Sequence, residues 1–201
     1  MSREAVQHLR RADPILAGVI KQVGRCEFTR REPGSHFAAL TRTIVYQQLS
    51  GKAAATILGR VHAHFGGRPP SPEELLETPD SILRAAGVSN QKVGYMRDLA
   101  AHVCDGRLPV LRLGRLSDDR VIESLTRVKG IGRWTAQIFL MFRLERLDVL
   151  PDGDLGIQNA IQRAYGLRRR PKPERVLKIG ARWAPYRTIA SWYLWRSLDN
   201  R

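Results

Sequence analysis

The sequence predicts an all-α protein of roughly ten helices. In most segments the apolar residues recur at the spacing of one helix face, and capping residues, glycines and prolines separate these segments. No segment alternates apolar and polar residues clearly enough to indicate a strand, and there is no internal repeat or low-complexity tract. We therefore expect helices alone, with 201 residues enough for one large or two small lobes around a core.

The charge of the chain favours a polyanionic partner. The net charge is +15 and the isoelectric point is near 10.9. Only six of the 34 basic residues are lysines, so an arginine-rich composition accounts for part of the excess. A charge of this size on so short a chain nevertheless favours nucleic acid as the partner.

Hydropathy and cysteine content bear on the compartment. No run approaches the ~20 apolar residues of a membrane-spanning helix, and the first residues do not resemble a signal peptide. Cys26 and Cys104 lie far apart and no C-x-x-C occurs, which argues against a zinc site or an iron–sulfur cluster. We expect no membrane association and a reducing bacterial cytoplasm, with the protein associated with the nucleoid.

The N-terminal half carries several helix start signals. Asp13 followed by Pro14 places a cap before a proline at the first helical position, and Ser71-Pro72-Glu73-Glu74 adds acids to the same pattern. The predicted helices cover residues 3–11, 14–23, 36–48, 52–65, 78–86 and 89–104, a further helix starts at residue 72, and loops cover residues 30–35, 66–70 and 107–114.

Residues 117–146 form the best-defined unit of the chain. A first helix, capped by Ser117 or Asp118, is followed by the turn Lys129-Gly130-Ile131-Gly132. Two glycines around one apolar residue suit a turn with unusual dihedrals or a close approach to a partner. The second helix is expected to face inward through Thr135, Ile138, Phe139 and Phe142. Its first N–H groups offer a site for a phosphate oxygen.

The C-terminal quarter begins with a helix that starts at Asp154 and ends at Gly166. The segment L-R-R-R-P-K-P, residues 167–173, is a basic connector for which solvated surface is the simplest interpretation. Two further helices are predicted over residues 173–183 and 185–201.

Two of these motifs resemble a known family. V-K-G-I-G-R-W-T-A resembles the hairpin of the helix-hairpin-helix DNA glycosylases, and L-P-D-G-D-L-G-I-Q resembles the segment with their catalytic aspartate, which here is Asp154, 22 positions after Gly132. Within the superfamily the chain is most similar to the alkyl-purine branch, the 3-methyladenine DNA glycosylase II type, from about His36 to Trp195. The resemblance implies one glycosylase domain over residues 1–201, two-lobed, with the active-site cleft between the lobes.

The resemblance implies that Asp154 is catalytic. A carboxylate beside the sugar would stabilise the oxocarbenium-like state formed as the base–sugar bond breaks. The alternative is a helix cap, and the two roles are compatible because a cap fixes the carboxylate. Asp152 competes for the role, but Asp154, Ile157, Ala160 and Arg163 follow the family pattern better.

Aromatic residues are implied for the base pocket, because they attract a positively charged alkylated base. The implied pocket residues are Trp134, Trp195 and Tyr193, with packing in the core as the alternative for the last two. Relatives that also nick DNA carry a lysine where this chain has Trp134, so the resemblance implies a monofunctional enzyme that uses water. Ile138 stands where the family has a second pocket aromatic.

The resemblance also implies contacts with double-stranded DNA. Gln48 or its neighbour Leu49 would fill the gap left by an everted nucleotide, the alternative being ordinary polar residues at a helix end. Lys92, in S-N-Q-K-V-G-Y-M-R-D-L-A, is expected either to contact a phosphate or to be solvated. The hairpin residues implied to bind DNA are Lys129, Gly130, Ile131, Gly132, Arg133 and Thr135. Backbone carbonyls around Gly130 are a candidate site for a monovalent cation, and no other cofactor or metal is expected.

The leading hypothesis is a monomeric, monofunctional glycosylase that binds damaged double-stranded DNA through the minor groove, everts an alkylated purine such as 3-methyladenine and hydrolyses its bond to the sugar. One alternative is a non-catalytic helix-hairpin-helix DNA-binding protein. Another is a glycosylase for deaminated or oxidised bases.

Overall fold

The computed structural model describes residues 3–28 and 34–199, in which every regular element is a helix. The all-α prediction is therefore confirmed. Within this part of the chain no helix is long and apolar enough to cross a membrane. Residues 30–33 of the predicted loop at 30–35 lie outside the described residues. The α-helices are α1 Arg3–Ala12, α2 Pro14–Val23, α3 His36–Tyr46, α4 Gly51–His64, α5 Pro72–Glu77, α6 Asp80–Ala85, α7 Asn90–Cys104, α8 Asp118–Thr126, α9 Arg133–Phe142, α10 Leu155–Ala164, α11 Pro173–Gly180 and α12 Arg187–Asp199, and the 3₁₀ helices are Val110–Arg115 and Ala181–Trp183.

The helices depart from prediction where chain geometry or packing intervenes. Residues 107–114 are not simply a loop, because the 3₁₀ helix that begins at Val110 buries Val110 and Leu113. α3 ends at Tyr46 rather than at residue 48, since Gln48 has a positive φ of 56° that no α-helix continues. The helix predicted over residues 173–183 is α11 followed by a 3₁₀ turn, and the last helix starts at Arg187.

The chain divides into two compact units, in agreement with the predicted two lobes. The first unit comprises residues 1–31 and 140–201, and the second comprises residues 32–139. Both termini of the chain thus belong to the same unit.

The first unit is organised around α12. This helix packs against α1, α2 and α10, and α11 packs against α10 and the 3₁₀ turn that precedes α12. Residues 188–194 of α12 are all buried. The core that surrounds them includes Leu16, Ile20, Ile157, Ile161 and Trp183. α12 therefore holds the N-terminal helices and α10 in one body.

Asp13 ties the start of α2 to the rest of the first unit. Its Oδ1 accepts the N–H groups of Ile15 at 3.0 Å and Leu16 at 3.1 Å, as expected of a cap. Its Oδ2 accepts the hydroxyl of Tyr165 and the indole N–H of Trp183. Asp13 is completely buried, yet these hydrogen bonds outweigh the effect of burial, which would raise its pKa, and hold that pKa below the ordinary value.

The second unit is organised around α7. α3, α5 and α6 pack against this helix, and α4 and the 3₁₀ helix that begins at Val110 pack against α3. Serine side chains cap five of its helices at their N-termini: Ser35, Ser50, Ser71, Ser89 and Ser117. Ser71 is the cap that the sequence predicted, and the structure adds that it is reciprocal, because Glu74 accepts the backbone N–H of Ser71.

Candidate active site

Asp154 occupies the N-cap of α10 in the first unit. Its Oδ1 accepts the N–H of Ile157 at 2.8 Å, which satisfies one of the donors that open the helix. The same oxygen accepts the indole N–H of Trp195, also at 2.8 Å. Two donors from different elements therefore fix the carboxylate. The capping role and the site role proposed for Asp154 are compatible in this geometry.

Gly156 permits this contact. A Cβ at this position would lie 3.0 Å from Oδ1 of Asp154 and 3.0 Å from Cδ1 of Trp195. Contacts that short are rare for a Cβ, so a side chain here would push the indole away from the carboxylate. The glycine inside α10 thus has a packing reason.

A stack of three aromatic rings adjoins Asp154. The ring of Phe142 stacks against Phe28, at 5.1 Å and 24°, and against Trp195, at 6.1 Å and 26°. Phe142 is 37% exposed, so the inward position predicted for it was wrong. The inward positions predicted for Thr135 and Phe139 are confirmed, and Ile138 is partly buried. Phe142 places an exposed aromatic surface against the ring that holds Asp154.

The segment before Asp154 is fixed to the start of α12. Arg187 pairs with Asp148 through two hydrogen bonds, Nε to Oδ1 at 2.7 Å and Nη2 to Oδ2 at 2.8 Å. Thr188 Oγ1 donates to the carbonyl of Arg146 at 2.6 Å and accepts the N–H of Val149 at 3.1 Å. Partial burial alone would raise the pKa of Asp148, but the hydrogen bonds from Arg187 lower it below the ordinary value. This anchoring limits the freedom of the loop that leads to Asp154.

Asp152 is placed differently from Asp154. Its backbone carbonyl accepts the side-chain amide of Gln158 at 3.0 Å, and its backbone N–H donates to the carbonyl of Leu150 at 2.9 Å. These contacts shape the turn before α10. Asp154, rather than Asp152, receives the Trp195 indole.

The hairpin in the second unit joins α8 to α9, and its two glycines differ. Gly130 has a φ of +81°, and a Cβ there would lie 2.2 Å from the ring of Tyr95. Gly132 has neither property: its φ is not positive, and no described atom lies within 4 Å of where its Cβ would be. The φ of Gly130 and its contact with Tyr95 explain why residue 130 is a glycine. At Gly132 neither reason applies, and the missing side chain leaves room for a ligand to approach the backbone.

The connection between α3 and α4 forms an exposed tip that contacts the hairpin. Gln48 is exposed and has a left-handed φ of 56°, and Leu49 is 39% exposed. Strained backbone of this kind is characteristic of functional loops. The side-chain amide of Gln47 donates to the carbonyl of Gly130 at 2.8 Å. The tip and the hairpin are therefore held together within the second unit.

The family model of the HhH-GPD superfamily base excision DNA repair proteins matches residues 41–185. The chain belongs to this superfamily. That match contains both the hairpin and the cap at Asp154, the two motifs on which the resemblance was based.

Relatives of this HhH-GPD protein cover nearly its whole length. DNA-3-methyladenine glycosylase 1 of Schizosaccharomyces pombe is 37% identical over 193 residues, which are 94% of this chain and 85% of that protein. A DNA-3-methyladenine glycosidase from Bacillus halodurans is 40% identical, with a TM-score of 0.86 over 98% of this chain and 89% of that one. The S. pombe 3-methyladenine DNA glycosylase in complex with abasic DNA is 36% identical, with a TM-score of 0.83 over 96% and 95%. The predicted resemblance to the alkyl-purine branch is confirmed.

The predicted pocket residues of the HhH-GPD domain differ in burial and contacts. Trp195 is partly buried and bonded to Asp154, and Trp134 is 48% exposed on α9 in the second unit. Tyr193 requires correction: it is 1% exposed, its hydroxyl donates to the carbonyl of Gly24, and burial raises its pKa to about 12. It is a core residue, and the exposed aromatic that the sequence did not identify as a pocket residue is Phe142.

Three predicted DNA-binding side chains also have internal roles. The ammonium group of Lys92 donates to the carbonyls of Val45 at 2.8 Å and Gln47 at 2.6 Å, and burial lowers its pKa; a phosphate contact by this residue stays a prediction. Lys92 stabilises the C-terminal end of α3. Ile131 and Thr135 are buried, at 4% and 6% exposed, and contact of either residue with DNA stays a prediction.

The other hairpin residues keep accessible positions. Lys129, Gly132 and Arg133 are exposed, and the backbone N–H of Lys129 donates to Asp98 Oδ2 at 2.8 Å. Among residues 3–28 and 34–199, no group of three or more histidine, cysteine or acidic side chains could hold a metal ion. A monovalent cation at the carbonyls around Gly130 stays a prediction.

Proposed function

We propose that this protein is a monofunctional DNA-3-methyladenine glycosylase, which hydrolyses the bond between an alkylated purine and deoxyribose in double-stranded DNA and so begins base excision repair. The observation that carries the proposal is the Asp154 carboxylate, held by the start of α10 and by Trp195 beside the exposed ring of Phe142. The relatives that match over nearly the whole chain bear names of this activity. We place the enzyme with the nucleoid in a reducing cytoplasm.

Asp154 would act on the sugar. As the bond from C1′ to the base nitrogen breaks, its electron pair leaves with the base and positive charge develops on the sugar ring. A carboxylate fixed in place stabilises that charge without reorganising. Water then adds to C1′ and gives up a proton, which leaves an abasic site. An N-alkylated purine departs as a neutral base, so the reaction needs no acid to protonate the leaving group.

The aromatic surface would recognise the base. Alkylation at a ring nitrogen gives a purine a formal positive charge, which electron-rich aromatic faces attract by about 0.5–2 kcal/mol. Phe142 and Trp195 bring aromatic rings next to Asp154, and Phe142 remains 37% exposed there. Trp134 supports the monofunctional assignment, because a tryptophan has no amine with which to attack C1′ and form a Schiff base.

The second unit would grip the strand. The start of α9 presents backbone N–H groups of the kind that bind phosphate oxygens, and Gly132 allows the backbone to approach closely. The exposed tip at Gln48 and Leu49 is suited to fill the gap left by the everted nucleotide. Lys92 and Gln47 support this tip indirectly. Lys92 donates to the backbone carbonyl of Gln47, and the side chain of Gln47 donates to the hairpin carbonyl of Gly130.

The replacement Asp154→Asn tests the proposal. An asparagine keeps an oxygen that can accept the N–H groups of Ile157 and Trp195, so the fold and the cap should persist while the negative charge is lost. We expect release of 3-methyladenine from methylated DNA to fall about 100-fold or more, with lesion DNA still bound. Single-turnover base release and a binding titration measure the two effects.

Asp152→Asn is the matched control, because it removes a carboxylate from the same turn. Its base release should stay near that of the unmodified protein. If Asp154→Asn released bases at the full rate, the assignment of Asp154 as the catalytic carboxylate would be wrong, and if the unmodified protein released no bases, the enzymatic assignment would be wrong. Running the same assay on DNA that contains hypoxanthine or 8-oxoguanine distinguishes an enzyme for alkylated bases from one for deaminated or oxidised bases.

A further inference from the structure

The connector between α10 and α11 and the helix that follows it carry an unusual concentration of positive charge. Residues 168–182 contain seven basic side chains, all exposed, and one acidic side chain, Glu174. We call this face the 168–182 surface; its basic residues are Arg168, Arg169, Arg170, Lys172, Arg175, Lys178 and Arg182. None of the residues discussed in the active site or the hairpin belongs to it.

The charge of the 168–182 surface is not neutralised within the described part of the chain. Elsewhere exposed arginines pair with acids, for example Arg107 with Asp105, Arg127 with Glu123 and Arg196 with Asp199. Among residues 3–28 and 34–199, none of the seven basic side chains forms an ion pair. Like charges held this close repel one another and favour an external polyanion.

The surface is concave and its backbone is well anchored. Five of its basic residues line a hollow of about 770 Å³, which adjoins a second one of about 680 Å³ with Lys178 and Arg182 at its edge. The N–H of Leu167 donates to the carbonyl of Gln162 at 2.9 Å, and Pro171 is buried. Proline in the connector and at the start of α11 restricts the backbone further. A ligand would therefore lose little free energy to ordering this segment.

The position of the surface separates it from the catalytic carboxylate. Asp154 caps the N-terminus of α10, and the connector leaves its C-terminus ten residues later. At 1.5 Å per residue, the two ends lie about 15 Å apart and face opposite directions along the helix axis. The connector therefore lies at the end of α10 away from Asp154, and its basic side chains are not beside the carboxylate.

We propose that the 168–182 surface binds the phosphate backbone of a second DNA duplex, so that one molecule can bridge two DNA segments while it searches for lesions. Guanidinium groups suit this partner because each can form two parallel hydrogen bonds to a phosphate. Contacts of this kind carry no sequence information, as a search along undamaged DNA requires. The proposal rests on the proposed function only in taking DNA as the polyanion.

A bridging assay tests it with the full chain. A biotinylated abasic-site duplex on beads holds the protein, and capture of a fluorescent undamaged duplex by the bound protein is measured. In R168Q/R169Q/R170Q we expect capture to be about tenfold weaker. The slope of log K against log salt concentration should also decrease in magnitude by about 2.7, which corresponds to the loss of three phosphate contacts. Single-turnover base release should be unchanged.

R3Q/R10Q/R11Q is the matched control, because it removes the same charge from exposed positions on α1 in the same unit. It should capture the second duplex as the unmodified protein does. Equal capture by R168Q/R169Q/R170Q, or an equal loss in the control, would overturn the proposal. The proposal would also be overturned if polyglutamate competed for the surface better than undamaged duplex at equal charge. That result would indicate an acidic protein as the partner. Failure of the proposed function shows separately, as no base release by the unmodified protein.

Discussion

At the scale of single residues, one carboxylate oxygen serves two structural purposes. Oδ1 of Asp154 accepts a helix N–H and an indole N–H, each at 2.8 Å. The two donors lie on α10 and α12, so the orientation of the carboxylate depends on how these helices pack. Gly156 is the residue that lets them approach at this point.

Gly156→Ala should reduce catalysis without reducing stability. The added Cβ would displace Trp195 from Asp154, and a displacement of about 1 Å at a reacting group costs up to 100-fold in rate. Alanine favours a helix over glycine by about 1 kcal/mol, which offsets the strain. We expect base release to fall at least about tenfold with little change in Tm. Single-turnover kinetics and thermal unfolding measure these effects.

Gly18→Ala is the matched control, since Gly18 lies in a helix of the same unit with no described atom near its missing Cβ. It should gain the same helix preference and keep full activity. If Gly156→Ala released bases at the normal rate, the contact between Trp195 and Asp154 would not position the carboxylate.

At the scale of elements, the hairpin contains two glycines, two positions apart in the chain, that are not equivalent. Gly130 is required by its own φ and by the ring of Tyr95, whereas Gly132 has no such requirement within the described chain. The carbonyl of Gly130 also accepts the amide of Gln47, which joins the tip between α3 and α4 to the turn. The turn and the tip should therefore move as one element.

Substitutions at the two glycines should separate folding from DNA binding. Gly132→Ala should leave Tm unchanged and weaken DNA binding about tenfold, because a methyl group would keep a phosphate from the backbone N–H groups, and losing one such charged hydrogen bond costs about 1.5–3 kcal/mol. Gly130→Ala should destabilise the protein by at least about 1–2 kcal/mol, the cost of a left-handed residue with a side chain. Urea unfolding and a binding titration with lesion DNA measure both. Unchanged DNA affinity in Gly132→Ala would rule out the hairpin as the phosphate contact.

At the scale of the whole molecule, the first unit joins the two ends of the chain. Asp13, between α1 and α2, accepts hydrogen bonds from Tyr165 and Trp183, which lie 152 and 170 residues later. A buried acceptor shared by distant segments makes the unit depend on all of them at once. Stability and catalysis are separate here, because Asp13 belongs to the core and not to the site at Asp154.

Asp13→Asn should lower stability by about 2 kcal/mol and leave base release per folded molecule unchanged. The new amide would face the indole N–H of Trp183, which cannot accept a hydrogen bond, although the Tyr165 hydroxyl can turn to do so. Urea unfolding at pH 7 measures the loss. Asp119→Asn, at an exposed position, is the control and should stay within about 0.5 kcal/mol of the unmodified protein.

The same variant should flatten the acid limb of the stability curve. The pKa of Asp13 is depressed in the folded state, so its contribution is present above the unfolded pKa of about 3.9 and is lost as pH falls through the lower folded value. The unmodified protein should therefore lose more stability than Asp13→Asn as the pH falls below about 4. Parallel acid-unfolding curves would contradict this role.

Much of the local structure follows from the sequence because its signals are local. Serine caps, the proline after Asp13 and the glycine at position 130 act within a few residues, so the helix starts and the hairpin could be read without a fold. Asp154 was identifiable for the same reason, since a cap and the residues that follow it are neighbours in the chain. The burial of Phe142 was mispredicted because helical spacing shows which residues share a face of the helix, but not how far along the helix that face stays covered by other segments.

The sequence by itself determined the helical class, the positive charge, the hairpin and the carboxylate at the start of α10. Only the tertiary structure decided which groups surround that carboxylate: Trp195 comes from 41 residues away, and Phe142 stacks on it from another helix. It also decided that Lys92 donates to the backbone carbonyl of Gln47 and that Tyr193 lies in the core. The physical reason is that capping and turn preferences depend on adjacent residues, whereas burial and stacking depend on segments that meet only when the chain packs.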